Sequence, residues 1–272
     1  QVGLDNSIGY SNLQTSEFAQ ALRAIVNEME ADLALAASLG ASRAYGTAGT
    51  APLASGTGDV AQLRKILDDN GAPLGPRGLV LNSDASANYR TNTQLTKANE
   101  AGDTMTLRDG ALGDIVGFSV HESGQLLQFT KGTNNGSAST NNAGYAIGDT
   151  TITLASAGTG TIKAGDVITF AGDANKYVVK TGDADVSGGG TIVLNEPGLR
   201  KAIAASNTVI TTGNSYTPNV GFTSDALRLL ERAPAVPKEG DLRIDEYILV
   251  DPRSGMAFEV SVWAGQRMIK YE

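Results

Sequence analysis

Between Phe18 and Ala37 the apolar positions Phe18, Leu22, Ile25, Val26, Met29, Leu33, Ala36 and Ala37 return every three or four residues. That interval is the stripe of an amphipathic helix, and it predicts a helix over residues 16–40. Thr15 or Ser16 can cap its start, Glu17 suits the positive end of the dipole, and Gly40 suits a left-handed stop. At 1.5 Å per residue the rod is about 36 Å long, roughly twice the average helix. It reads either as a core helix of an ordinary α+β domain or as a long strut serving an assembly.

Residues 41–58 are rich in Gly, Ala, Ser and Thr and read as a loop. A second helix is expected from Asp59 to about Asn70. Val60, Leu63, Ile66 and Leu67 share one face there, and Gly71 with Pro73 stops it. Gly78 to Asn82 is short and apolar enough for a buried strand, and Ser83 to Glu100 is expected to be helical in part. Met105 to Arg108 and Ile115 to Val120 read as strands separated by Asp109-Gly110 and Leu112-Gly113 turns.

From residue 130 to 216 helical periodicity nearly vanishes. Short β runs take over at Thr150–Leu154, Val167–Phe170, Tyr177–Lys180, Thr191–Leu194 and Val209–Thr211, with turn clusters between them. Such regular short strands indicate a small β-barrel or sandwich. A helix is then expected at Thr223–Arg232, followed by strands at Arg243–Val250 and Met256–Trp263 around the turn Asp251 to Gly255. The fold class is thus α+β. A β module at 130–216 is inserted into a host formed by residues 1–129 and 217–272.

Composition narrows the function. The 272 residues are 41% hydrophobic and 18% charged, which is globular and on the low-charge side. There is no cysteine, so disulfides, thiolate zinc sites and cysteine nucleophiles are excluded. His121 is the single histidine, which excludes a His-pair metal site within one chain. No run of eighteen apolar residues is present to span a membrane. The net charge of −8 argues against gripping nucleic-acid phosphates. That charge is uneven: residues 1–129 carry 8 positive and 14 negative side chains, whereas residues 130–219 carry 6 and 6. The sequence begins Gln1-Val2-Gly3 and closes within a predicted strand, so both ends are expected to be cut from a longer polypeptide. Proteolytic maturation or disordered ends account for this equally well.

Motifs for chemistry are weak. Gly56-Thr57-Gly58 and Gly158-Thr159-Gly160 lack the third glycine of a dinucleotide loop. His121-Glu122 starts like a zincin motif without its second histidine. Asp183-Ala184-Asp185 before Gly188-Gly189-Gly190 is loosely like a calcium loop, with spacing wrong for an EF-hand. Asn135-Gly136-Ser137 fits a glycosylation acceptor by pattern alone. No residue is nominated as catalytic, cofactor-binding or metal-binding, and a protein that is not an enzyme is expected.

Four segments, in order, carry a resemblance. Leu67-Asp68-Asp69-Asn70-Gly71-Ala72-Pro73, followed by Arg77 and the strand Leu79 to Asn82, resembles major capsid proteins of tailed bacteriophages with the Hong Kong 97 fold. Leu107 to Ser123, with Leu107-Arg108-Asp109-Gly110 and Ile115-Val116-Gly117-Phe118-Ser119-Val120, is similar to a more specific segment of that family. Thr161 to Gly172 resembles the insertion domain of the P twenty-two type of coat protein. Ala226 to Pro237 resembles the return into the host domain.

The resemblance implies a spine helix at 16–40, peripheral and axial domains around it, and an insertion domain at 130–216. It implies subunits that form hexamers and pentamers and close an icosahedral head around double-stranded DNA. No cofactor is implied. The implied partners are other copies of the chain, scaffolding and portal proteins, possible decoration proteins, and DNA held without sequence-specific contacts. The implied location is the virion, assembled in the bacterial cytoplasm. A negative wall suits a container that must not condense its genome. Two departures stand out: no N-terminal arm precedes the helix, and the insertion is short. No cross-linking residue or intersubunit contact is carried over. A β-rich binding or surface protein and a nanocompartment shell are the alternatives.

Overall fold

A computed structural model of the chain describes residues 8–97, 105–135, 137–230, 243–251, 255–265 and 268–271. Among these residues it is a mixed α and β structure with three sheets. The chain divides into two compact units, residues 1–30 with 228–272 and residues 31–227.

Helix α1 (Ile8–Leu39) has 32 residues, so its axis is about 48 Å long. It starts at Ile8 and not at the expected cap, Thr15 or Ser16; the apolar stripe had marked only its later turns. Leu22, Val26, Met29, Leu33 and Ala37 are half-buried along one side, whereas Ile25 and Ala36 are exposed. Gly40 is not left-handed as expected: its N–H still donates to Ala36 O at 2.9 Å. The chain passes directly into β1 (Arg43–Ala44), inside the stretch expected to be a loop.

Helix α2 (Gly58–Asp69) closes as the sequence suggested. Gly71 is left-handed, its N–H donates to Asp68 O at 3.0 Å, and Ala72 N–H donates to Leu67 O at 3.0 Å. Strand β2 (Arg77–Leu81) follows, then α3 (Ser83–Thr91), α4 (Thr93–Thr96), α5 (Met105–Asp109), β3 (Asp114–Ile115) and β4 (Phe118–Glu122). The α5 segment was expected to be a strand. Met, Leu and Arg are good helix formers, and five residues are too few for apolar spacing to separate the two periods. Residues 115–120 make a hairpin where one strand was expected. Val116 and Gly117 both have positive φ, 49° and 81°, the two-residue turn that suits twisted strands. A β-branched residue rarely takes that conformation; Arg64 Nη1 donates to Val116 O at 2.8 Å and braces it.

Strand β10 (Val220–Thr223) lies where the next helix was expected to begin, and residues 224–230 form no helix. Residues 231 and 232 lie outside the described residues. The edge of β2 explains the outcome: Val220 to Thr223 pair antiparallel with Val80 to Arg77. The resulting sheet has the order β10-β2-β4-β3, with β2 and β4 parallel. Leu79, Leu81, Phe118 and Val120 point from it toward Leu53, Val60, Ala85 and Tyr89, all buried.

Strands β5 (Thr151–Leu154), β6 (Val167–Phe170), β7 (Lys176–Thr181), β8 (Gly190–Leu194) and β9 (Ile210–Thr212) fall within two residues of their predicted ends. Buried and less buried positions alternate along β5, β6 and β9, which is why period-two patterning found them. Their order is β5-β8-β7-β6-β9, and β1 joins through β7. Residues 138–141 then bond both outer strands. Ile210 N–H donates to Ala138 O and Ala155 N–H to Ser139 O, at 2.8 and 2.9 Å. The backbone ladder therefore runs from β5 round to β5 again. Ile152, Ile168, Phe170, Tyr177, Val179, Ile192 and Ile210 fill its centre.

In the other unit, β11 (Arg243–Val250), β12 (Ala257–Gly265) and β13 (Met268–Tyr271) form an antiparallel sheet in that order. Asp251 N–H to Met256 O at 2.9 Å closes the expected hairpin. No helix among the described residues is long and apolar enough to cross a membrane.

Phe118 is fully buried at the meeting point of β4, β2 and α2. Truncating it to alanine is expected to lower the unfolding free energy by about 3–5 kcal/mol, read from urea melts. An exposed change, Leu74→Ala, is expected to stay within about 0.5 kcal/mol of the parent.

Candidate functional site

The polar groups that sequence reasoning passed over gather where α1 ends. A helix leaves its last carbonyls without intrahelical donors. Asn195, immediately after β8, supplies them: its Nδ2 donates to Leu39 O at 2.7 Å and to Ala41 O at 2.9 Å. Asn195 N–H in turn donates to Val178 O at 3.1 Å, so β7 and β8 hold it in place.

Arg43 of β1 comes next, with its side chain 5% exposed. Nη1 donates to Asn175 Oδ1 at 3.0 Å, while Nη2 faces Asp69 Oδ2 and Asn70 Oδ1 at 3.3 Å and Ile66 O at 3.4 Å. One guanidinium thus joins the β6–β7 loop to the end of α2. Asn70 Nδ2 completes the joint by donating to Ser42 Oγ at 2.8 Å. Asp173 orients both neighbours, accepting from Asn175 N–H at 2.9 Å and Tyr177 OH at 2.7 Å.

A second cation reaches the end of α2. Arg77, its side chain 4% exposed, donates from Nη2 to Asp68 Oδ1 at 2.7 Å. Asp68 and Asp69 sit in the last turn of α2, where the dipole disfavours carboxylates. Arg43 and Arg77 offset that arrangement from β1 and β2. Their remaining donors, Nε of both and Nη1 of Arg77, are buried without a hydrogen-bond partner.

Two further carboxylates act as ties. Asp166, wholly buried, accepts from Gly132 N–H at 2.9 Å and Lys163 N–H at 2.7 Å, which fixes the turn before β6. Glu122 accepts from Arg90 Nη2 and Ser86 Oγ, each at 2.8 Å. The Arg90 and Ser86 hydrogen bonds hold its carboxyl below the usual range.

The motifs singled out in the sequence are placed apart from one another. His121 is exposed on β4, paired with Val80. Asp183 Oδ1 accepts Asp185 N–H, and Asp185 Oδ1 accepts Ser187 N–H and Oγ–H. These are successive turns that use their own carboxylates. Among the described residues no group of three or more His, Asp or Glu side chains could hold a metal ion. At Gly158 and Gly160 the backbone is left-handed, and an added Cβ would come within 2.6 Å of Ala138 N and 2.7 Å of Thr133 O. Those glycines permit two loop segments to approach each other closely. Gly58 opens α2, and Thr57 N–H donates to Gln94 Oε1 at 3.2 Å. Asn82, Asp84, Ser123 and Thr217 line an open depression beside α3. Asn82 Oδ1 is already occupied there, capping α3 through Ala85 N–H at 2.9 Å.

Arg43, Asp166, Asn175 and Asn195 escaped sequence reasoning. For Arg43 a signal existed: it is the only Lys or Arg between Arg23 and Arg64, inside a stretch of small residues. Asn195 carries none, because its partners lie 154 and 156 positions away.

No protein-family model matches the chain, and no curated protein matches it. A solved structure from Mycobacterium phage Che8 is similar at a TM-score of 0.36 and 16% identity, over 78% of this chain and 60% of that one. The alignment therefore spans under two thirds of the phage chain. Likeness at that level assigns no role.

Asn195→Ala strands two carbonyls at the end of α1, and a loss of about 1–3 kcal/mol in urea melts is expected. Asn195→Asp, equal in size, is expected to cost at least as much, because a carboxylate would face two carbonyl oxygens. A second outcome concerns alkaline pH. Burial, aided by the hydrogen bond to Asp173, pushes Tyr177 up to about 12, and burial with the Asp166 charge pushes Tyr216 up to about 12. Unfolded tyrosine ionises near 10, so this stability is complete below pH 10 and lost as pH rises through 12. Unfolding midpoints across that window should fall, and Tyr216→Phe should flatten part of the fall.

Proposed function

We propose that this chain is the major capsid protein of a tailed double-stranded DNA bacteriophage, built on the Hong Kong 97 fold with an inserted β-barrel domain. The observation that carries the reading is the order of the resembling segments together with the elements they form. Leu67 to Pro73 closes α2 ahead of β2. Leu107 to Ser123 supplies the β3–β4 hairpin whose second strand lies parallel to β2. Thr161 to Gly172 leads into β6 of the closed ladder. Helix α1, at 32 residues, has the length a spine requires.

On this reading residues 1–129 begin the peripheral and axial domains, residues 130–216 are the insertion, and residues 217–272 return to the host. The role is mechanical. Copies pack as hexamers and pentamers around DNA, and the residues described above act as joints within residues 31–227 of each copy. Scaffolding, portal and possible decoration proteins are the further partners, and the virion head is the location. Surfaces that neighbours cover are expected to be apolar in an isolated copy. Leu74, 88% exposed on the turn Pro73 to Pro76, and Leu127 and Ile147, 66% and 65% exposed, fit that requirement.

Size-exclusion chromatography with negative-stain microscopy tests the proposal. Capsomers or closed megadalton particles are expected, and Leu74→Asp should shift the population to smaller species without moving the unfolding midpoint. A strictly monomeric chain at high concentration would overturn the proposal and favour a β-rich binding protein.

A further inference from the structure

Residues 130–219 hold six cationic side chains, and three of them, Lys131, Lys163 and Lys180, come to one turn from separate segments. The turn runs from Lys163 to Asp166, just before β6, and Asp166 N–H closes it by donating to Lys163 O at 3.1 Å. Lys163 N–H and Gly132 N–H both donate to the buried Asp166 carboxylate, at 2.7 and 2.9 Å, which brings Lys131 alongside. Gly165 N–H donates to Val179 O at 2.7 Å and Val179 N–H to Asp166 O at 2.9 Å, which brings Lys180 of β7 alongside. Lys163 and Lys180 are exposed, and Lys131 is half-exposed.

These charges are not neutralised where they stand. The ion pairs among the described residues all use arginine, namely Arg43, Arg64, Arg77 and Arg90. Asp166 is wholly buried and occupied by N–H groups, and Asp183, whose backbone pairs with Ile162, accepts Asp185 N–H at 2.8 Å. The opposite charge lies elsewhere in the same unit. Asp84 in the first turn of α3, Asp109 at the end of α5 and Asp114 on β3 are exposed and outside those ion pairs. Arg90 Nε donates to Gly110 O at 3.0 Å, and Gly113 N–H donates to Tyr89 OH at 3.2 Å. The segment between Asp109 and Asp114 is therefore bound to the last turn of α3, a helix about 13 Å long. With Arg90 paired to Glu122, the three carboxylates stand against Arg108, and this strip keeps an excess of negative charge.

We propose that Lys131, Lys163 and Lys180 form a docking surface for a second copy of this chain, which meets it with Asp84, Asp109 and Asp114. The surface rests on the capsid reading and says which charges bring neighbours together. Charge complementarity selects the occupant: every copy carries both the basic turn and the acidic strip, on different elements. The contact is heterologous, so each copy that uses its acidic strip leaves its basic turn open for the next, and the contact repeats around a ring. Duplex DNA is the poorer fit. Three lysines release few counterions, and the net charge of −8 repels phosphates.

Sedimentation velocity of the whole chain at low and high salt tests the surface, with thermal melts reporting that each variant is folded. The parent is expected to associate, and K131E/K163E/K180E to need about tenfold more protein for the same large species. Added salt should weaken the parent and narrow that gap. Lys65→Glu, an exposed change on α2, should behave as the parent does. A mixture is the decisive sample. D84K/D109K/D114K should also associate poorly alone, yet the two reversed variants together should recover the large species, because each then offers the charge the other lacks. Reversed variants that associate like the parent, or a mixture that stays small, would overturn the docking surface and leave the capsid reading standing. A parent that stays monomeric overturns both. Retention of the parent on duplex DNA that the lysine variant loses, with association unchanged, assigns the turn to a polyanion and also overturns the proposal.

Discussion

Where a helix stops within a protein, its terminal carbonyls must find donors, and here one side chain from far along the sequence provides two. Asn195 reaches Leu39 O and Ala41 O. The chain that emerges from the helix is captured at once as β1 against β7, with Arg43 opposite Tyr177. Each contact is modest, since a hydrogen bond contributes about 1 kcal/mol net. Their value is geometric. Two segments from distant parts of the chain are fixed to one another within a few residues.

The same logic explains the buried arginines. A guanidinium with 5% or 4% of its side chain exposed is costly unless paired. Arg43 and Arg77 find partners at the end of a helix that carries two aspartates in its last turn. Neither the aspartates nor the arginines are comfortable alone. Together they join α2 to both β1 and β2. Those aspartates are 34% and 44% exposed, so solvent screens the pairs and part of their strength is lost.

Much of the architecture was legible from spacing. Alternating burial in β5, β6 and β9 matches alternating sequence, and α2 shows both its apolar face and its stop. What escaped shares a cause. Gly117 hid a two-residue turn within one apolar run. Met105 to Asp109 is too short for its period to show. Val220 to Thr223 became a strand because β2 offered an unpaired edge, a fact stored elsewhere in the chain. The joint residues are the extreme case, since nothing local distinguishes Asn195 from an asparagine in any turn. Motif-like glycines misled in the other direction: Gly158 and Gly160 serve close packing.

The way the ladder closes through residues 138–141 has a bearing on the order of events at the ribosome. The closing segment is synthesised before β5, yet its second neighbour ends at Thr212. Until that residue leaves the exit tunnel, Ile210 cannot reach Ala138 and the ring stays open, with two strand edges exposed. The nascent polypeptide must carry this unsealed intermediate through more than seventy codons, the interval in which a chain of this topology is most open to pairing with the wrong neighbour.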